Sequence, residues 1–132
     1  SNDALDIDFS DLKISKIDVT SAGNDCVDLS FGKYEIEEIN INDCGDKAIS
    51  VGEGSSLEAA ELVISAADAG VVSKDMSVVH MSASSFRNVN NALMAYVKKE
   101  EFLNVYRARS GVNDVSGPDC CIFIMAFAQT QR

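Results

Sequence analysis

The chain has 132 residues, a size for one domain with its own core. Apolar residues make up 46% of it, Trp is absent, Pro occurs once, and the formal net charge is −10. That charge opposes binding to nucleic acid, which needs Lys and Arg against phosphate, and binding to an anionic membrane; it suits a solvated acidic surface, a cation-binding face or an uncharged ligand.

From its start the chain alternates apolar and polar residues in short pairs. Leu5, Ile7, Leu12, Ile14, Ile17 and Val19 form the first set, and period two is the strand signal. Val27, Leu29, Tyr34, Ile36, Ile39 and Ile41 repeat it. A third set reads Ile49, Val51, Leu57, Ala59, Leu62 and Ile64, with one extra residue near Ser55. A fourth reads Val72, Lys74, Val79, Met81, Ser84 and Phe86, and a fifth starts at Met94 and Tyr96 and fades after Phe102. The leading positions Leu5, Val27, Ile49, Val72 and Met94 are 22, 22, 23 and 22 residues apart, so one structural unit is copied about five times. Residues 58–67 also carry a helix-like spacing, but the repeat register assigns them to strand.

Three short strands per unit, separated by turn-forming Gly, Asp, Asn and Ser, predict an all-β fold. The expectation is a parallel β-helix of about five 22-residue rungs over residues 1–109, with a non-repeat C-terminal tail over 110–132. Like side chains then stack about 4.8 Å apart. Leucine-rich repeats share the period but use one strand per unit and a Leu/Asn consensus; here Ile and Val dominate and the alternation occurs three times.

The cysteines do not read as a disulfide framework. Cys26 aligns with Ala4 and Ala48, and Cys44 with Ala22 and Ala67. Both are expected as buried thiols in separate columns, too far apart to bond. Cys120-Cys121 has no histidine nearby, since His80 is the only one, and no CxxC zinc pattern occurs. Residues 122–128 are apolar but too short to cross a bilayer. No signal peptide is read, and nothing in the sequence assigns a compartment. Lys98-Lys99-Glu100-Glu101 reads as a solvated edge.

The outward columns carry the candidate chemistry. Asp6, Asp28, Ser50 and Ser73 form one, and Asp8, Ser30, Gly52 and Asp75 the next. Asp3, Asp25, Lys47 and Gly70 form a third, and Asn24, Asp46, Ala69 and Asn91 a turn ladder. Asp6 stacked on Asp28 sets two carboxylates about one strand spacing apart, where they repel. A bound cation, a nearby lysine or a shared proton would relieve this, unless both simply face water. The metal expectation is calcium at Asp6, Asp8 and Asp28, with no other cofactor. The ligand-binding expectation is Asp6, Asp28 and Lys74. Lys74 interrupts an apolar column, so either the rung bends outward there or the lysine is buried and paired.

Over residues 3–102 the rung length and pattern resemble right-handed parallel β-helices of the pectin-lyase-like superfamily. The motif order resembles polygalacturonase-type glycosidases, which carry N-T-D, then G-D-D, G-H-G and R-I-K. Asn2-Asp3-Ala4-Leu5-Asp6 looks like the first, and Gly23-Asn24-Asp25-Cys26 like the second. The third would fall at Asp46-Lys47-Ala48-Ile49-Ser50-Val51-Gly52 and the fourth at Val72-Ser73-Lys74. Asn24 replaces one aspartate, Lys47 the histidine and Val72 the arginine, which leaves Asp3, Asp25 and Lys74.

With no nucleophile–base pair and no phosphate loop, the expected function is a non-enzymatic binding or assembly module with a carbohydrate ligand. The alternative is a small glycan-acting hydrolase. It would use Asp3, Asp25 and Asp28, with Asp6 also available, as acid and base, and Lys74 to hold a uronate. Because one tail cannot cover both ends of a coil, a homo-oligomer is expected, most simply a two-fold dimer through residues 110–132.

Overall fold

A computed structural model describes residues 3–96 and the short strand segments 103–104, 115–117, 122–125 and 127–128. The strands are β1 (Leu5–Asp8), β2 (Asp11–Val19), β3 (Val27–Ser30), β4 (Lys33–Asn42), β5 (Lys47–Gly52), β6 (Ser56–Lys74) and β7 (Val78–Tyr96). They are followed by β8 (Leu103–Asn104), β9 (Val115–Gly117), β10 (Ile122–Met125) and β11 (Phe127–Ala128). No helix occurs among the described residues, and so none long enough to cross a membrane.

β1 to β7 coil into a parallel β-solenoid. One face stacks β1, β3, β5 and the C-terminal parts of β6 and β7, all in parallel register. The rest of the coil stacks β2, β4 and the N-terminal parts of β6 and β7. These longer strands bend once, and the sequence shows where. Glu37-Glu38 are two outward residues in a row between inward Ile36 and Ile39. Such a doublet breaks period two and turns the chain onto a new face. The pairing register skips Ser15, Glu37, Ala60 and Ser82 at this bend. Three strand segments per turn therefore form as expected.

The core fills the coil axis with inward columns. Tyr34, Ile36, Ile39 and Ile41 lie under Leu57, Ala59, Leu62 and Ile64, and these under Val79, Met81 and Phe86. All are buried. Residues 58–67 are strand, not helix.

Three expectations change. The solenoid makes about four turns rather than five: β7 reaches Tyr96 beside Lys74, and residues 97–102 lie outside the described residues. The leading column is Leu5, Val27, Ile49, Val71 and Leu93, not Val72 and Met94. The extra residue is real, since β4 pairs β6 with an offset of 23, as in Lys33↔Ser56. The next corner is one residue shorter and restores the offset to 22 by Lys47↔Ala69. Every column beyond it shifts back by one. Lys74 therefore faces outward in the Asp8, Ser30 and Gly52 column, while Ser73 takes the inward place. There the Ser73 and Ser77 hydroxyls pair at 2.6 Å, and Ser77 donates to the Val51 carbonyl at 2.9 Å. The corner ladder likewise reads Asn24, Asp46, Asp68 and Asn90, and Asn90 Nδ2 donates to Asp68 Oδ1 at 2.9 Å.

The third correction concerns the cysteines. Cys26 and Cys44 are joined by a disulfide, with Cα atoms 5.6 Å apart. Their columns differ, but both point inward at the same corner of the coil, where separate columns meet.

The tail does reach the last turn. β10 pairs antiparallel with Val78–Met81 of β7, and β9 with Ser84–Phe86. Antiparallel strands laid on a parallel edge satisfy its open backbone groups. The side chains of residues 110–132, on which the expected dimer contact would depend, lie outside the described residues.

Candidate functional site

The outward side of β1, β3 and β5 gathers charge in a grid. Asp3 and Asp25, just before β1 and β3, stack with Lys47 at the start of β5, and Asp6, Asp28 and Ser50 stack on the strands. The first stack has a structural task. The Asp25 backbone N–H donates to Asp3 Oδ1 at 3.1 Å, and that of Lys47 donates to Asp25 Oδ1 at 3.2 Å. Each aspartate thus ties its turn to the next, satisfying an N–H that precedes the sheet ladder. Asp11 does the same for Lys33 at 3.1 Å. Asn24 Nδ2 adds a bond to Asp3 Oδ1 at 2.9 Å.

Asp25 and Asp28 are three residues apart around the corner, and their carboxylates meet that of Asp3. One oxygen from each of the three lies within 4.8 Å of the others. Asp3 and Asp28 are half-buried, and Asp25 is buried. The trio is therefore Asp3, Asp25 and Asp28, the set expected for acid–base chemistry. Asp6 and Asp8, expected as metal ligands with Asp28, stand outside it. Asp8 lies two residues beyond Asp6, about 6.6 Å along the strand, and both are exposed.

Two lysines bear on the grid. Lys47 Nζ is 2.8 Å from Asp46 Oδ2 and 3.9 Å from Asp25 Oδ1. Lys74 crosses Gly52, whose missing side chain would meet Lys74 Cε at 3.7 Å and Ser30 Oγ at 3.8 Å. Its charge favours ionised Asp28. Even so, burial pushes the Asp28 carboxyl above its ordinary value, and Asp25, Asp6 and Asp3 add to that. Asp25 is also raised, chiefly by burial, against the opposing Lys47 backbone bond and charge.

These raised values make a stability prediction with a definite sign. The folded state holds both protons more firmly than the unfolded chain does, so this contribution is complete below about 3.8, the ordinary aspartate value, and is lost as pH rises through the folded value. In the presence of a chelator, Asp28→Asn is expected to melt above wild type at neutral pH, with the gap closing on acidification below the ordinary value. Thermal melts at the two pH values check this; a variant that melts lower at neutral pH contradicts it.

Column neighbours grow less exposed along the coil. Asp6 is exposed, Asp28 half-buried, and Ser50 and Val72 fully buried. The Ser50 hydroxyl has no hydrogen-bond partner among the described residues.

At the other end of the same strands stands a feature that the sequence reading missed. Phe9 and Phe31 occupy the corner after β1 and β3 with φ of 54° and 52°. Their rings stack with centroids 4.5 Å apart and planes within 4°, yet they are 74% and 46% exposed. A left-handed backbone costs a bulky L-residue about 1–2 kcal/mol. Glu53 and Asp75 continue this corner, also at positive φ. The 22-residue spacing of Phe9 and Phe31 was the available signal.

The bend of the longer strands holds a separate groove of about 380 Å³, lined by Lys13, Glu35, Glu37, Glu58, Ala60 and Ser82 among others. No trio of metal-ligating groups converges there among the described residues.

Comparison with known proteins finds no matching family model, no similar curated protein and no similar solved structure.

Proposed function

We propose that this chain is a non-enzymatic β-solenoid binding module that takes carbohydrate on the outward face of β1, β3 and β5. The observation that carries the reading is the pairing of polar and aromatic ends on that face. The Asp3, Asp25 and Asp28 carboxylates lie at one end, and Lys74 and the exposed Phe9–Phe31 stack at the other. Asp28 and Phe31 are three residues apart, about 10 Å along the strand. A sugar has an apolar ring face that packs on an aromatic ring and hydroxyls that pair with carboxylates. Two strained, exposed phenylalanines held in register are costly for a bare surface and suit a platform. Rung length and the three-segment coil support a further proposal, that the chain is related to the pectin-lyase-like superfamily.

Calorimetric titration of the full chain with neutral and uronate-containing oligosaccharides tests the reading. Saturable binding is expected, weakened roughly tenfold, or about 1.4 kcal/mol, in Phe31→Ala. Absence of any binding, or equal binding by the variant, contradicts it.

The rival reading is a glycan hydrolase that uses Asp3, Asp25 and Asp28, and the raised Asp25 and Asp28 carboxyls favour it. The spacing opposes it. Inverting hydrolysis needs carboxyl groups about 6.5–9.5 Å apart to admit a water, and these oxygens lie within 4.8 Å. Release of reducing ends from the bound glycan would favour the rival.

A further inference from the structure

We infer that the edge of β2 is an interface for a second copy of this chain, paired antiparallel about a two-fold axis at the Ser15–Lys16 bend. The contact lies at the end of the coil opposite β9 and β10, and it does not depend on the carbohydrate reading.

β1 and β2 make the first turn. Among the described residues each pairs with the coil on one side only, β1 with β3 and β2 with β4. The other side presents open N–H and C=O groups, a template for a further strand. The core is uncovered there too. Leu5, Ile7, Ile14 and Val19 are only half-buried and Leu12 is 36% exposed, whereas Val27, Leu29, Ile36, Ile41 and Tyr34, one turn on in the same columns, are buried.

The sequence of that edge names its occupant. In Asp11-Leu12-Lys13-Ile14-Ser15-Lys16-Ile17-Asp18-Val19 the inward residues are placed symmetrically about the Ser15–Lys16 bond. When β2 is laid antiparallel on its own copy about that bond, Leu12 meets Val19, Ile14 meets Ile17 and Lys13 meets Asp18. A two-fold contact makes each of these pairs twice. This register alone sets all four inward residues against inward residues, and it brings bend to bend. A slip of two residues sets Asp11 on Asp18 and Lys13 on Lys16, like charge on like, and turns Ile14 onto the outward Ser15. In the matched register Lys13 lies between two carboxylates, Glu35 beside it in its own coil and Asp18 of the second copy.

The far end of the coil favours this closed pairing over head-to-tail stacking. The part of β7 that continues the β2 and β4 stack is already taken, since Val78–Met81 pairs with β10 and Ser84–Phe86 with β9. A second copy that stacked its first turn there would have to displace them. The same contacts are antiparallel, so an edge of this coil accepts strands in that sense.

Sedimentation velocity on the full chain tests the inference, with two charge variants. Wild type is expected to be mostly dimer at about 100 µM and to dissociate on dilution to about 1 µM. Lys13→Asp sets carboxylate against carboxylate at both contacts, and Asp18→Lys sets ammonium against ammonium. Each variant alone should dimerise about tenfold more weakly. Lys13 and Asp18 are exposed, so both variants should melt near wild type. An equimolar mixture of the two variants should dimerise as wild type does, because every mixed pair again joins carboxylate to ammonium at both contacts. That recovery is specific to this register, since no other brings Lys13 to Asp18 twice. A monomeric wild type at about 100 µM, undiminished dimers in either variant, a mixture no better than its components, or assemblies that grow beyond two chains overturns the inference.

Discussion

Replacing Ile49 with aspartate is expected to unfold the chain. Ile49 is fully buried in the leading inward column, between Val27 on one turn and Val71 on the next. The substitution removes about 2–5 kcal/mol of apolar packing. It also forces a carboxylate into a place without a partner, or forces that carboxylate to take up a proton, which costs several kcal/mol more. A domain of this size is stabilised by about 5–15 kcal/mol in total. The variant should lose its cooperative thermal transition in circular dichroism. The neighbouring outward position gives the contrast, since Ser50→Ala should melt like wild type. An Ile49→Asp chain with a near-native transition would mean that this residue is not in the core.

Loss of the Cys26–Cys44 disulfide is expected to have the next largest effect. The bond closes a loop with a sequence separation of 18 residues. Restricting the unfolded chain over such a length is worth about 3 kcal/mol in the chain-entropy model. For a chain of this length that corresponds to a drop on the order of 10 °C in melting temperature. Cys26→Ala with Cys44→Ala is a suitable variant, because the columns of both already contain alanine, at Ala4, Ala22 and Ala48. Reducing the wild-type protein should give a similar drop, and the reductant should not lower the double variant further by this route. Mass spectrometry of the unreduced digest should find the Cys26 and Cys44 peptides linked. Separate peptides, or a double variant as stable as wild type, would contradict the bond.

The fold was legible because its two periods are clean. Alternation in Tyr34–Ile41 and Leu57–Ile64 gave the segments, and the outward doublets between them gave the bend. The column register was harder. Val71 and Val72 are both apolar and both fully buried, so burial and hydropathy alone do not tell the inward one from the outward one. An insertion before Ser56 is cancelled by a shortened corner after Ser65, and a short corner leaves no mark in the apolar pattern. The misplaced Lys74 followed from that single step. The disulfide was missed for another reason. Repeat alignment reports which residues stack along the coil, but not which separate columns meet across a corner.

The site was legible as chemistry and less so as geometry. Asp3, Asp25 and Asp28 were visible in the sequence, with Asp6 and Asp8 beside them. Which three converge depends on the corner at Asp25, where the chain leaves period two. The Phe9–Phe31 platform was hidden because phenylalanine is an unusual choice for left-handed backbone.

Chemical-shift mapping of the full chain by NMR, during titration with an oligosaccharide that binds it, tests the central claim most directly. The account predicts that the amide shifts cluster on the outward face and corners of β1, β3 and β5, at Asp6, Phe9, Asp28, Ser30 and Phe31, and reach Lys74. Shifts centred instead on the bend groove, at Glu35, Glu37 and Glu58, or spread evenly over the coil, would contradict it.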